Sequence, residues 1–192
     1  MFLGLFLITG FMVWKGIGQS SLPDFPKIQI PYTAASPSPA VLGTTQSTPS
    51  AQLAEELVQV TKVVDGDTIE VSINNELKKI RLIGINTPET VDPRRAVQCF
   101  GKEASNETKR LLEAQKVILT KDVSETDKYE RLLRLVYLPL PDGQLLFVND
   151  YLVRQGYANV YTYPPDVKFD EQFKKAEKEA KEAKRGLWGK CF

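Results

Sequence analysis

Histidine is absent from all 192 residues. That removes Ser-His-Asp and Cys-His nucleophilic mechanisms, imidazole acid–base catalysis and every histidine-ligated metal site. Cysteine is nearly as scarce: Cys99 and Cys191 are the only two, too few for a four-cysteine zinc site in one chain. There is no excess of charge either, since the formal net charge is +1 and residues 53–192 hold basic and acidic side chains in equal number. Affinity for a polyanion must therefore be local rather than global. The apolar run Met1–Trp14, broken only by Thr9, falls short of the roughly 20 residues of a membrane span.

What remains for chemistry is carboxylate, guanidinium, ammonium, phenol and hydroxyl, and the metals that suit oxygen ligands are calcium and magnesium. Hydrophobic residues make up 42% and charged residues 26%, enough to build a packed core. Three regions differ in texture. Residues 1–18 read as an export signal or an N-terminal membrane anchor attached through residues 1–14, although no basic residue precedes the run and no Ala-x-Ala site follows it. A mis-set start codon and a buried helix are the other readings. Residues 19–52 combine Pro23, Pro26, Pro31, Pro37, Pro39 and Pro49 with Ser, Thr and Ala, a composition that reads as a disordered linker. Residues 53–192 form the folded domain.

In that domain, β-formers fill Leu57–Val64, and Thr68–Ile73 alternates apolar and polar side chains. Asn74-Asn75 suits a tight hairpin turn, because asparagine tolerates positive φ. A third strand is expected over Leu77–Ile85, a helix over Lys102–Gln115, and strands over Val117–Lys121 and Leu132–Leu138. Phe147–Gln155 reads as a short helix capped by Asn149 and stopped by Gly156. Asn159–Tyr163 is extended up to Pro164-Pro165. Asp170–Arg185 is a long helix with Phe173, Ala176, Ala180 and Ala183 inward and Glu171–Lys175 and Glu177–Lys181 pairs outward. The class is α+β: a five-stranded oligonucleotide-binding-type barrel with about three helices.

One polar bend lies between the first two strands and a second follows the third. Asp65-Gly66-Asp67 places two carboxylates two residues apart, and their repulsion asks for hydrogen bonds or a cation. Alone it reads as a hairpin turn. If the second and third strands pair, Asp67 meets Asn86, Thr87 and Glu89 of the second bend, and these oxygens suit calcium. Arg81 lies between Ile80 and Leu82 on a strand, so its partial burial needs an anion: either a structural partner such as Glu89 or a phosphate. Asp127-Lys128-Tyr129-Glu130-Arg131 reads as a polar loop. Tyr161 and Tyr163 alternate along an extended segment as rim packing or as a stacking platform.

Taken together, Val64-Asp65-Gly66-Asp67-Thr68, Arg81 through Thr87-Pro88-Glu89-Thr90, Gly101-Lys102-Glu103-Ala104, Asp127-Lys128-Tyr129 with Arg131, Leu152-Val153-Arg154-Gln155-Gly156 and Gly186-Leu187-Trp188 resemble the staphylococcal nuclease family, or thermonucleases, in order and spacing. The resemblance runs from about Leu57 to Trp188. It implies a calcium-dependent phosphodiesterase on DNA and RNA, cleaving P–O5′ bonds and leaving 3′-phosphates. It further implies catalytic roles for Arg81, Glu89 and Arg131, and calcium ligands at Asp67, Asn86 and the Thr87 carbonyl, with Asp65 nearby. Nucleotide contacts are implied at Lys128, Tyr129, Tyr161 and Tyr163. Asn86 stands where those members carry aspartate, which implies weaker calcium binding, and Glu130 stands where they carry glycine.

A non-catalytic nuclease-like binding module is the competing class. The joint presence of Asp67, Arg81, Glu89 and Arg131 argues against it, and a small-ligand barrel would not need two arginines converging on a cation. We expect a monomer, secreted or held at the cell surface. In that setting Cys99 and Cys191 would form a disulfide tying the C-terminal tail to the body, whereas inside a cell both would stay thiols.

Overall fold

The computed structural model describes residues 57–91 and 96–192. The expectations for residues 1–18 and 19–52 fall outside the described residues. In chain order the elements are β1 (Leu57–Asp65), β2 (Thr68–Ile73), β3 (Glu76–Leu82), β4 (Ile85–Asn86), α1 (Gly101–Leu112), β5 (Lys116–Thr120) and β6 (Leu132–Pro139). They continue with β7 (Leu145–Phe147), α2 (Val148–Arg154), β8 (Asn159–Val160), α3 (Asp170–Glu182) and the single-turn α4 (Leu187–Lys190).

Five strands close a barrel. Antiparallel pairing runs β3-β2-β1-β5-β6, and a parallel β3–β6 ladder joins the ends, with Ile80 opposite Leu132 and Leu82 opposite Arg134. Closure requires a strand to bend, and β1 bends at two register shifts, between Val60 and Lys62 and between Val63 and Asp65. The second shift lies directly before the Asp-Gly-Asp bend. Asn74 and Asn75 both take positive φ at the β2–β3 turn, as a tight hairpin demands. Val60, Ile69, Val71, Ile80, Leu82, Val117 and Leu135 are fully or almost fully buried in the core. Helix α1 packs Ala104, Thr108, Leu111 and Leu112 inward. Among the described residues no helix is long and apolar enough to cross a membrane.

The third strand is shorter than its apolar run suggests. It ends at Leu82, and Gly84 takes φ +76° before a separate two-residue strand, β4, pairs with β8. A Cβ on Gly84 would lie 2.4 Å from Phe173, so the break is the seat of α3. Phe173 belongs to a cluster with Phe147 and Phe169, with ring centroids 5.7 and 6.2 Å from its own. Helix α3 stops at Glu182, which leaves Ala183 exposed rather than inward. Glu171 pairs with Lys174 at 3.1 Å instead of with Lys175, while the Glu177–Lys181 pair forms at 2.6 Å.

Asn149 is not a cap. It lies inside α2, fully buried, and its amide joins two elements of the barrel. Val136 N–H donates to Asn149 Oδ1 and Asn149 Nδ2 donates to the Ile83 carbonyl, each at 2.9 Å. The turn that follows Arg81 is thereby pinned to β6. Asn149→Ala would leave two buried main-chain groups without partners, at a cost of about 3 kcal/mol. Urea unfolding should show that loss, and a variant of wild-type midpoint would remove Asn149 from this role.

Candidate active site

Asp65-Gly66-Asp67 turns at the tip of the β1–β2 hairpin, and its carboxylates are buried and hydrogen-bonded. Asp65 Oδ1 accepts from Gly66 N–H at 2.8 Å and from the Thr90 hydroxyl at 2.6 Å. Asp67 Oδ1 accepts from the Thr68 hydroxyl at 3.0 Å, and Oδ2 accepts from Thr87 N–H at 2.9 Å. Helix α1 secures the bend from below, through Thr108 Oγ1 donating to the Gly66 carbonyl at 2.7 Å. The two bends are therefore brought together. A Cβ on Gly66 would lie within 2.8 Å of the Thr87 side chain.

Arg81 closes the group. Its Nη1 lies 2.9 Å from Asp67 Oδ2 and its Nη2 donates to Asn86 Oδ1 at 3.1 Å. The anion that meets Arg81 in this structure is Asp67, where the sequence suggested Glu89. Burial presses the guanidinium below its usual value, and Arg131 adds to that; Asp67, Asp127 and Asp65 oppose it. Arginine nonetheless stays protonated at neutral pH.

Arg131 reaches the same place from the loop between β5 and β6. Its Nε donates to Asp127 Oδ2 at 2.7 Å, and its Nη1 donates to Thr68 Oγ1 at 3.4 Å. Thr68 in turn donates to Asp67, so Arg131, Thr68, Asp67, Arg81 and Asn86 form one hydrogen-bonded chain. Asp127 also accepts from the main-chain N–H of Tyr129 and of Arg131. Burial alone would raise the Asp127 carboxyl, but Arg131 and these N–H donors hold it below the usual range. Glu130, where the resembling proteins carry glycine, takes φ +62°. The loop keeps a glycine-like backbone at some cost in strain.

The two guanidinium groups open on a cleft of about 510 Å³. Lys128, Tyr129, Tyr161 and Tyr163 all line it, the last two 59% and 74% exposed. Lys128 Nζ and the Arg131 guanidinium lie 5.0 and 5.5 Å from the Tyr129 ring centroid. Two of the segments that line it are joined by Asp166, whose Oδ1 accepts from Val123 N–H and Ser124 N–H at 2.9 Å each. Glu89, Asp67, Asn86 and Thr87 do not line this cleft; Asp67 and Asn86 adjoin it through their contacts with Arg81, and Thr87 through its N–H on Asp67. Glu89 is half-buried two residues past Thr87, and its Oε1 accepts from Thr90 N–H and Val91 N–H at 2.9 and 2.8 Å.

A calcium ion would find hard oxygen donors here: the Asp65 and Asp67 carboxylates, the Asn86 amide oxygen and the Thr87 carbonyl. The Thr87 hydroxyl is also buried without a hydrogen-bond partner. The set fits such an ion chemically. Among the described residues no group of three or more Cys, Asp or Glu side chains is placed to hold a metal ion, so the Asn86 amide and the Thr87 carbonyl would have to complete the set; Asn86 Nδ2 donates to the Thr87 carbonyl at 3.3 Å.

Burial raises the Asp65 carboxyl above its usual value; Thr90 and Gly66 oppose this, and Asp67 and Glu89 add to it. A carboxyl raised on folding costs stability once the pH exceeds its unfolded-state value, and costs nothing where both states are protonated. Asp65→Asn keeps the acceptor oxygen and removes the charge. In calcium-free buffer it should raise Tm at pH 7, with the difference vanishing as pH falls below about 4. A Tm gain independent of pH would contradict this origin.

The family model for staphylococcal nuclease homologues matches residues 79–190. Over 134 residues the chain is 42% identical to a thermonuclease of Staphylococcus hyicus, spanning 70% of this chain and 76% of that protein. It is 39% identical over 147 residues to the endonuclease YncB of Bacillus subtilis (74% and 67% covered). It is 43% identical over 140 residues to the SPbeta prophage-derived endonuclease YokF of the same organism, covering 71% of this chain and 46% of that protein. The chain belongs to the staphylococcal nuclease family. The family match begins at Lys79, beyond the Asp-Gly-Asp bend, and the Arg81–Asp67 pair ties that bend to the matched region.

Sequence reasoning missed two residues of this family member that hold the site in shape, Asp166 and Gln98, and misread a third, Asn149, as a helix cap. Asn149 left one signal: with Asp150 it forms a polar pair inside the otherwise apolar stretch Phe147–Val153. Gln98 donates its N–H to the Glu89 carbonyl at 3.0 Å and accepts Glu89 N–H on Oε1 at 2.8 Å. Cys99, beside it, is disulfide-bonded to Cys191 across 92 residues of sequence.

Proposed function

We propose that this protein is a calcium-dependent endonuclease that hydrolyses phosphodiester bonds of DNA and RNA at P–O5′, leaving 3′-phosphates. The observation that carries the reading is the pair of arginines, Arg81 and Arg131, joined through Asp67 and Thr68 and open on one cleft. A guanidinium fork matches two phosphate oxygens, and two forks can share the charge that grows on them as water attacks phosphorus. Asp67 and Thr68 hold both forks in place before substrate arrives, so little reorganisation remains for the transition state. Glu89, oriented by Thr90 N–H and Val91 N–H, orients the attacking water or takes its proton. Lys128 meets a flanking phosphate, and Tyr129, Tyr161 and Tyr163 stack against base or sugar. Calcium held by Asp67, Asn86 and the Thr87 carbonyl would supply Lewis-acid polarisation of a phosphoryl oxygen.

The N-terminal apolar segment supports export or anchoring, and the reading is of a monomer outside the cell or held on its surface. Purified full-length chain should cleave single- and double-stranded DNA and RNA with calcium, and chelation with EGTA should abolish cleavage. Activity undiminished in EGTA would overturn the calcium dependence. Asn86→Asp should bind calcium more tightly, by about tenfold in calorimetry, because ligand charge sets affinity. Equal or weaker binding by that variant would exclude Asn86 from the ligand set.

A further inference from the structure

Glu89 is held from outside its own bend. Gln98 grips its peptide on both sides, accepting Glu89 N–H at 2.8 Å and donating to the Glu89 carbonyl at 3.0 Å. Gln98 itself is exposed, and hydrogen bonds on an exposed side chain are weak anchors unless the residue is fixed by something else. Two features fix it. Gly101 N–H, at the start of α1, donates to the Gln98 carbonyl at 3.0 Å. Gly101 also packs so closely on this bend that a Cβ there would lie 2.8 Å from Thr90 Cγ2 and 3.1 and 3.2 Å from the Pro88 and Glu89 carbonyl oxygens. The second is the Cys99–Cys191 disulfide, which fastens the residue after Gln98 to the end of α4.

Helix α4 is in turn a firm anchor. Leu187 is buried, its N–H donates to the Gly156 carbonyl at 2.9 Å, and its carbonyl accepts from Cys191 N–H at 2.9 Å. A Cβ on Gly156 or on Gly186 would lie 2.3 Å from the other segment's backbone, so these two glycines allow the C-terminal turn to dock directly on the chain after α2. A continuous path therefore runs from the packed body through α4 and the disulfide to Gln98 and the Glu89 peptide.

We propose that Gln98 is a positioning residue for Glu89 and that the Cys99–Cys191 bridge is its covalent anchor, so that turnover depends on the bridge while substrate binding does not. The inference rests on the reading of Glu89 as the group that handles the attacking water. Nucleotide contacts in that reading belong to the cleft beside Arg81 and Arg131, which neither Gln98 nor the cysteines line. Loss of the anchor lets the carboxylate wander by up to about an ångström, and displacements of that size cost activity without costing affinity.

The test compares full-length wild type, Gln98→Met, Gln98→Glu and the double variant Cys99→Ser with Cys191→Ser, assayed on a defined oligonucleotide with calcium well below each Tm. Gln98→Met has nearly the shape of glutamine but a weakly accepting thioether in place of the amide oxygen; Gln98→Glu restores an oxygen acceptor. Gln98→Met and the bridge-free variant should each lose about tenfold in kcat with KM within about twofold. Gln98→Glu should recover most of the rate, and Gln98→Met placed in the bridge-free background should add little. Unchanged kcat in Gln98→Met and in the bridge-free variant overturns the proposal, as does a loss carried in KM or a loss that multiplies independently in the combined variant. If the bridge-free variant fails to fold, the split between Gln98→Met and Gln98→Glu decides. An inactive wild type would overturn the enzyme reading itself, and this proposal with it, whereas an active wild type beside an equally active Gln98→Met overturns this proposal alone.

Discussion

Replacing Arg81 by lysine should lower kcat by roughly 10²- to 10³-fold while leaving the protein folded. Lysine keeps the charge that the Asp67 carboxylate needs, so the buried anion is not left alone and the barrel survives. What disappears is the fork. Arg81 spans from Asp67 Oδ2 to Asn86 Oδ1, a reach that requires two nitrogens in a fixed plane. An ammonium carries its three donors on one nitrogen and cannot reproduce the planar two-nitrogen fork, so its hydrogen bonds are no longer directed in pairs at a developing phosphorane oxygen. The loss should fall on kcat, because the interaction strengthens as charge accumulates on the equatorial oxygens. Single-turnover rates together with a thermal melt check this. Turnover within a few fold of wild type, in a variant with normal Tm, would remove Arg81 from the chemistry.

Glu89→Gln should cost roughly 10²- to 10⁴-fold in kcat, the range spanned by loss of a general acid–base group. The substitution is nearly isosteric. Glutamine retains Oε1, so the contacts from Thr90 N–H and Val91 N–H can persist, and the grip of Gln98 on the Glu89 peptide does not involve the Glu89 side chain. The change removes the carboxylate's capacity to take a proton while keeping these main-chain contacts. Pre-steady-state kinetics on a short oligonucleotide separate the chemical step from product release. A chemical step slowed by less than about tenfold would leave Glu89 an orienting role only, since an amide oxygen can still accept a hydrogen bond from water but cannot take its proton.

The barrel was plainly legible in the sequence because local signals agreed with the fold. The Asn74-Asn75 turn, the alternation of Ile69, Val71 and Ile73, and the inward face of α1 each follow from rules that operate over a few residues. The errors arose where tertiary contacts decide. Leu77–Ile85 reads as one strand because apolar residues run through most of it, but Phe173, far along the chain in α3, packs against Gly84 and breaks it there. Asn149 reads as a helix cap because its type favours caps; burial in the barrel gave its amide two main-chain partners instead. The site divides the same way. Residue types and spacing pointed to Asp67 and Arg81, whereas Arg131 read as part of a polar loop and was singled out only by the family resemblance. That Thr68 would link the two arginines, that Asp67 rather than Glu89 would meet Arg81, and that Gln98 would grip the Glu89 peptide all depend on chain segments meeting across 9 to 63 positions. Nothing within a short window encodes that.

The central claim is that Arg81 and Arg131 act on one scissile phosphate, and a double-mutant cycle tests it most directly. Arg81→Lys, Arg131→Lys and the combined variant are compared in single-turnover cleavage of one defined oligonucleotide in saturating calcium. Two forks serving the same transition-state charge should be coupled, so the combined variant should lose far less than the product of the two single losses. Losses that simply multiply would mean that the two arginines work at separate places, contradicting a shared phosphate.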